Sequence, residues 1–276
     1  FARISTGRKN IIAAMRAFHG RTFGSLSATF NKKYREGFEP LLPGVSHVAY
    51  NNIEALEKAI NEETAAVILE VVQGEGGVYP ASQEYIQAAR RICDERGALL
   101  IIDEIQTGFG RTGRLFAIQH FDVTPDLLTC AKSLAGGVPM GAVLIGRHVQ
   151  NLTPGVHGST FGGNPLSCAA ANASLDVILS EDLPRQAEVK GAYLMDRLKR
   201  IQSPHIREVR GMGLMIGIEM KQKVAPYLKA LQERHIIALN AGMTVIRLLP
   251  PLVITYEQID HLVEILTEVL TQEAND

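Results

Sequence analysis

Three consecutive stretches limit what this chain can fold into more than anything else in it. AAVILEVV at 65–72 and ALLIIDE at 98–104 are short apolar runs, and SQEYIQAARRICDERG lies between them. In that middle stretch Tyr85, Ala88, Ala89, Ile92 and Cys93 recur at helical spacing, Ser82 is placed to cap the start, and Gly97 to end it. Strand, helix, strand in this order predicts a crossover unit and a mostly parallel sheet. NIIAAM (10–15), DLLTCAK (126–132) and GAVLIG (141–146) read as further strands of the same kind. Near-continuous apolar runs of this length are expected to be buried on both faces, as parallel strands are.

The pattern changes after about Asn164. NPLSCAAANASLDVILSEDLP reads as a long helix, and a second helix is expected from about Arg185 to Ile201. IREVRGMGLMIGIEM is strand-like around glycines, APYLKALQERH is a short helix, and IIALNAG and TVIRLLPPLVI are again strand-like. Ile259, Leu262, Val263, Leu266 and Leu270 form one apolar stripe on a closing helix. The expected organisation is a large α/β domain over 1–181 and a smaller α/β domain over 182–276. No internal repeat interrupts it.

Composition narrows the function classes. The chain has 276 residues, 46% of them hydrophobic, with 28 basic against 29 acidic residues and a net charge of -1. That balance suggests neither a nucleic-acid nor an acidic-membrane partner, and the apolar runs are too short to span a bilayer. The three cysteines, Cys93, Cys130 and Cys168, are far apart and read as reduced thiols of a cytoplasmic protein. No cluster of His, Cys or Asp has metal-ligand spacing, so no metal is expected. Phe1 is not a methionine, and FARISTGRKNIIAAMRAFHG opens as if inside an element, so an earlier start of the gene product is expected.

The chemistry begins where ALLIIDE ends on Asp103 and Glu104. Ligands of open parallel sheets bind beyond the carboxyl ends of the strands. A poorly solvated carboxylate there needs a cation or hydrogen-bond donors. It can be a helix cap, a structural salt bridge, or the partner of a protonated ring nitrogen on a cofactor. Lys132 also closes a strand, in LLTCAKSLAGG. Desolvation in a compact apolar setting would make its amine nucleophilic, although lysines commonly snorkel to solvent. A pyridine aldehyde needs both groups: a lysine to hold it covalently and an acid to keep its ring nitrogen protonated.

At these residues the chain resembles a known family. ILEVVQGEGG, LLIIDEIQTGFGRTG, DLLTCAKSLAGGVPMGA and HGSTFGGNPLSCAAA are similar, in order, to signature blocks of the class III pyridoxal-phosphate aminotransferases, and FHGRT (18–22) and VIRLLPPLVI (245–254) also fit. Within that class the chain looks most like the acetylornithine aminotransferases, close to the branch acting on carrier-protein-linked lysine. The resemblance implies the type I fold of pyridoxal-phosphate transferases and pyridoxal 5'-phosphate as cofactor. It implies that Lys132 carries the cofactor and shuttles protons, that Asp103 pairs with its ring nitrogen, that Gln106 lies near its phenolic oxygen, and that Phe18 lies over its ring. Thr160 would hold the cofactor phosphate of the other subunit of a homodimer, and Ser159 would touch substrate there, so that each active site is composite.

The resemblance further implies that Arg21 receives the substrate α-carboxylate. Glu75 would pair with Arg247 while an amine-ended donor is bound, and swing away when 2-oxoglutarate brings its carboxylate. A fixed structural salt bridge is the alternative for that pair. Glu70 stands in LEVV where many relatives have Glu-Pro, which should alter loop shape and leave the chemistry alone. The expected reaction moves the terminal amino group of N-acetylornithine to 2-oxoglutarate. Lysine linked to an acidic amino-group carrier protein, N-acetylated lysine, ornithine or 4-aminobutyrate are alternative donors, and a catalytically dead scaffold is the non-enzymatic alternative. The family also carries an upstream segment with a phosphate-cradling loop that this sequence does not show.

Overall fold

The structure, a computed structural model, describes residues 1–271; residues 272–276 of the expected second domain lie outside the described part. The elements run α1 (Ala2–Thr6), β1 (Asn10–Ala14), α2 (Phe23–Ala28), α3 (Lys32–Arg35), β2 (Val45–Val48), α4 (Ile53–Ala59), β3 (Thr64–Glu70), β4 (Val72–Gln73), β5 (Tyr79–Pro80), α5 (Gln83–Arg96), β6 (Leu99–Asp103), β7 (Leu127–Cys130) and β8 (Ala142–Ile145). They continue α6 (Pro165–Ser180), α7 (Leu183–Lys199), β9 (Ile206–Met212), β10 (Met215–Met220), α8 (Ala225–Glu233), β11 (Leu239–Ala241), β12 (Val245–Leu248) and α9 (Tyr256–Thr271).

The strand–helix–strand stretch at 65–104 folds largely as expected. Ser82 Oγ accepts from Tyr85 N, α5 runs from Gln83 to Arg96, and Gly97 closes it in the left-handed conformation at φ 65°. α5 carries the chain from β3 to β6, which pair in parallel with Leu69 opposite Ile102 and Glu70 opposite Asp103. The sheet has the order β2-β1-β3-β6-β7-β8, with every pairing parallel except β7–β8. Val67, Leu69, Leu100 and Ile102 are fully enclosed in it.

Two strand expectations need correction. The run 65–72 is one strand only to Glu70. The Val71 carbonyl is taken by Ala81 N and the Tyr50 hydroxyl, so the chain leaves the sheet there and Val72–Gln73 pairs with Tyr79–Pro80 in a separate hairpin. β8 is antiparallel, and Val143, Leu144 and Ile145 are each more than 40% exposed, so this strand is not buried on both faces. It is the last strand of the sheet and pairs on one side only. The short elements α2, α3, β2 and α4 were not anticipated, because none is long enough to show a period.

Two compact units divide the chain. The first holds 1–71, 81–108 and 117–177; the second holds 72–80, 109–116 and everything described from Ile178 onward. The expected division at 181/182 is a single cut, whereas the second unit also takes in two earlier segments. Its own sheet has the order β11-β12-β10-β9, all antiparallel. Its core joins Ile216 and Ile218 of β10 and Ile246 of β12 to Leu194 and Leu198 of α7, Leu231 of α8 and Leu266 of α9.

Candidate active site

The two acids at the end of β6 have different fates. Glu104 is fully enclosed, and its carboxylate accepts from Thr107 Oγ1, Ala117 N (3.1 Å) and Ile118 N (2.8 Å). It ties the returning chain to the strand end. Burial pushes its pKa above the usual carboxylate range, against the pull of these donors. Asp103, 5% exposed, has its Oδ1 on Ile105 N at 3.0 Å and its Oδ2 on His19 Nδ1 at 2.8 Å. Asp103 is paired across the sheet with Thr129 of β7. Cross-strand partners share a face of the sheet, so the carboxylate and the Thr129 hydroxyl lie side by side.

Lys132 follows Thr129 by three residues, in a short 3-10 turn (Lys132–Ala135) after β7, with φ at 45°. Three residues of extended chain cover at most about 10 Å, so Asp103 and Lys132 stand at the carboxyl ends of neighbouring strands. The setting of Lys132 is exposed, the solvent-facing one of the two that the sequence left open. The positive φ of a non-glycine residue is uncommon and turns the lysine out of the strand direction.

Of the remaining expected residues of the first unit, Phe18 and Arg21 lie together in the turn after β1. Phe18 N donates to Glu70 Oε2 at 3.1 Å, and its ring meets Tyr34 edge-on at 5.3 Å. The Arg21 guanidinium lies over the same Tyr34 ring at 4.5 Å. Gln106 is half-buried in the turn after β6. Ser159 and Thr160 lie apart, in an exposed loop beside Phe161, where Ser159 Oγ accepts from Gly162 N.

The second unit brings together the other expected pair. Arg247 of β12 is 6% exposed, and its Nη1 donates to Glu75 Oε1 at 2.7 Å. An enclosed guanidinium is costly unless paired, and Glu75 from the β4–β5 hairpin supplies the pairing. Glu75 is about one-quarter exposed, which leaves it room to turn outward.

Three contributors escaped the sequence reading. His19 holds Asp103 and is itself held through its backbone N–H on Thr29 Oγ1. Burial works to lower its pKa, but the Asp103 hydrogen bond and the charges of Asp103 and Glu70 outweigh that and raise it. Its place in AFHGRT put it near the site without showing a partner. Tyr34 touches both Phe18 and Arg21, and Arg210 clamps the hairpin that carries Glu75. Nothing in their local sequence marks either.

Comparison with known proteins shows the family. Residues 1–270 match the family Aminotransferase class-III. The chain is 53% identical to a [LysW]-aminoadipate semialdehyde transaminase of Deinococcus radiodurans, over 98% of the chain and 64% of that protein. It is 46% identical to an acetylornithine aminotransferase of Caldanaerobacter subterraneus, over 96% of the chain and 68% of that protein. The crystal structure of the ornithine aminotransferase of Toxoplasma gondii superposes with a TM-score of 0.91 at 37% identity, covering 95% of the chain and 64% of that structure. This chain belongs to the class-III aminotransferase family, and spans about two-thirds of the length of these relatives.

Pyridoxal phosphate is the cofactor of that class, and the residues fit it. Asp103 is an enclosed acid at a strand's carboxyl end. Beside it, His19 Nε2 and Thr129 Oγ1 are buried polar atoms with no hydrogen-bond partner among the described residues. A heteroaromatic cation answers an enclosed carboxylate in a way that apolar side chains cannot. Among the described residues no group of His, Cys, Asp and Glu is arranged to hold a metal ion, and no helix is long and apolar enough to cross a membrane.

Proposed function

We propose that this chain carries the chemistry of an aminotransferase that moves the terminal amino group of N-acetylornithine to 2-oxoglutarate, leaving a semialdehyde and glutamate. The observation that supports it above the others is Glu75 on the enclosed guanidinium of Arg247. A donor with an amine at its far end presents no carboxylate beside the reacting carbon, and Glu75 keeps Arg247 neutralised while it is bound. 2-Oxoglutarate has a carboxylate next to its keto carbon. Once Glu75 turns outward, the Arg247 fork takes those two oxygens.

The other residues divide the work. Arg21 takes the α-carboxylate, its guanidinium oriented by the Tyr34 ring. When pyridoxal phosphate is bound, Phe18 would cover its ring, Gln106 would lie near its phenolic oxygen, and Asp103, steadied by His19, would keep its ring nitrogen protonated. Pyridoxal phosphate, when bound, supplies an electron sink for the carbon that loses its proton. Lys132 Nζ would take that proton from the substrate carbon and deliver it to the cofactor carbon that receives the amino group, and would act in reverse when 2-oxoglutarate is the acceptor. Thr160 and Ser159 serve the site of the partner in a homodimer, consistent with their exposure.

The name of the Deinococcus relative favours a second reading, in which the substrate is carried on LysW. The test compares kcat/KM of the intact protein on N-acetylornithine and on LysW-linked lysine, with 2-oxoglutarate as acceptor. The donor with the higher value is the physiological one. If neither donor yields glutamate, the proposal fails.

A further inference from the structure

In the register of the second sheet, Gly217 of β10 stands opposite Arg210 of β9 on one side and Arg247 of β12 on the other. Residues in one such row share a face. Two arginines therefore straddle a position without a side chain, and the tip of the β4–β5 hairpin sits on this row. A Cβ at Gly217 would lie 2.9 Å from Val78 Cβ, so Val78 occupies the notch that the glycine leaves.

The two arginines hold the tip differently. Arg247 meets the side chain of Glu75 in it, Nη1 donating to Oε1 at 2.7 Å. Arg210 meets its backbone: Nη2 donates to Gly77 O at 2.7 Å, and Nε is shared between the carbonyls of Gly77 and Val78 at 3.1 Å each. Arg210 is 8% exposed and lies over the Tyr79 ring at 3.8 Å, with Nη1 on Glu219 and Glu208. Val78 has φ 53°. A β-branched residue adopts that value only when its surroundings impose it, and here the imposing groups are Arg210 and the Gly217 notch.

We propose that Arg210 and Gly217 are the fixed anchor of the Glu75 gate, so that the gate opens by rotation of the Glu75 side chain over a stationary hairpin. Arg210 is thus a positioning residue for specificity: it sets where the Glu75 carboxylate rests, and through it how far Arg247 is hidden from dicarboxylates. The inference builds on the reading of Glu75 and Arg247 given under Proposed function.

The test uses the full-length holoenzyme and glutarate, a dicarboxylate with neither amino nor keto group to react. Affinity is measured by calorimetry, and amide exchange is followed across 74–78. Glu75→Gln should bind glutarate about five- to tenfold more tightly than wild type, within the usual range of coupling between two contacts. Arg210→Met should shift affinity in the same direction and speed exchange at 74–78. Gly217→Ala leaves every charge in place and should do likewise by lifting Val78. It stands in if the arginine variant fails to fold. If Glu75→Gln gains affinity while Gly217→Ala and any folded Arg210→Met match wild type in both readouts, the anchor is overturned and the gate survives. If Glu75→Gln binds glutarate as wild type does, the gate and its anchor fall together.

Discussion

At the scale of single residues, the adjacent acids Asp103 and Glu104 show how neighbours in sequence take unrelated jobs. Successive strand residues face opposite ways, so one carboxylate meets His19 and the other meets the amides of 117 and 118. His19 then carries a testable pH signature. Its folded pKa is raised above the unfolded value, so the folded state binds the extra proton. The stabilisation is fully present below the unfolded value of about 6.5 and fades as pH rises through the raised value. The margin by which wild type exceeds His19→Gln in urea midpoint should therefore be widest below about pH 6.5 and shrink as pH rises through the raised value. A margin that grows with pH would mean that His19 is neutral beside Asp103. Lys132, which the sequence left open to an apolar setting or to solvent, is exposed, in a turn at φ 45°.

At the scale of elements, the strand–helix–strand units were legible because burial on both faces and a 3.6-residue period leave plain marks. β8 shows the limit of that reasoning. Its run GAVLIG has the composition of an enclosed strand, yet composition does not record which neighbours cover it. The two halves of VVQGEGGVYP were also hidden, since hairpin pairing over so few residues is decided by the Val71 carbonyl and by Arg210, not by periodicity. Glu104 provides the test at this scale. Glu104→Ala leaves the Ala117 and Ile118 amides without their acceptor, and each unmet buried donor costs about 1–3 kcal/mol. Urea unfolding should show a loss of roughly 2–6 kcal/mol. A loss within about 0.5 kcal/mol, the range of surface substitutions, would mean that the segment at 117–118 is held by something else.

At the scale of the whole molecule, the proposed composite sites make a quantitative prediction. Lys132→Ala removes the proton-transfer group of its own protomer, and Thr160→Glu places a negative charge where the partner's cofactor phosphate would lie. Each homodimer should be nearly inactive. A mixed dimer restores one complete site, Lys132 from one chain and Thr160 from the other. Random assembly of equal amounts should recover about a quarter of wild-type activity, as follows from twofold symmetry. No recovery in verified mixed dimers would place both residues in one protomer's site.

What the sequence alone determined were the features written in local order: the parallel crossover units, the acid at the end of one strand and the lysine after the next, and the blocks that mark the class. Such features need only strand and helix periods and the side-chain types at strand ends. Tertiary structure alone decided which of two adjacent acids is held by a histidine, that β8 is exposed, and that Arg210, Gly217 and Arg247 fall in one row beneath Glu75. Those relations join residues tens of positions apart or more. They depend on register and packing between strands, which no local pattern records.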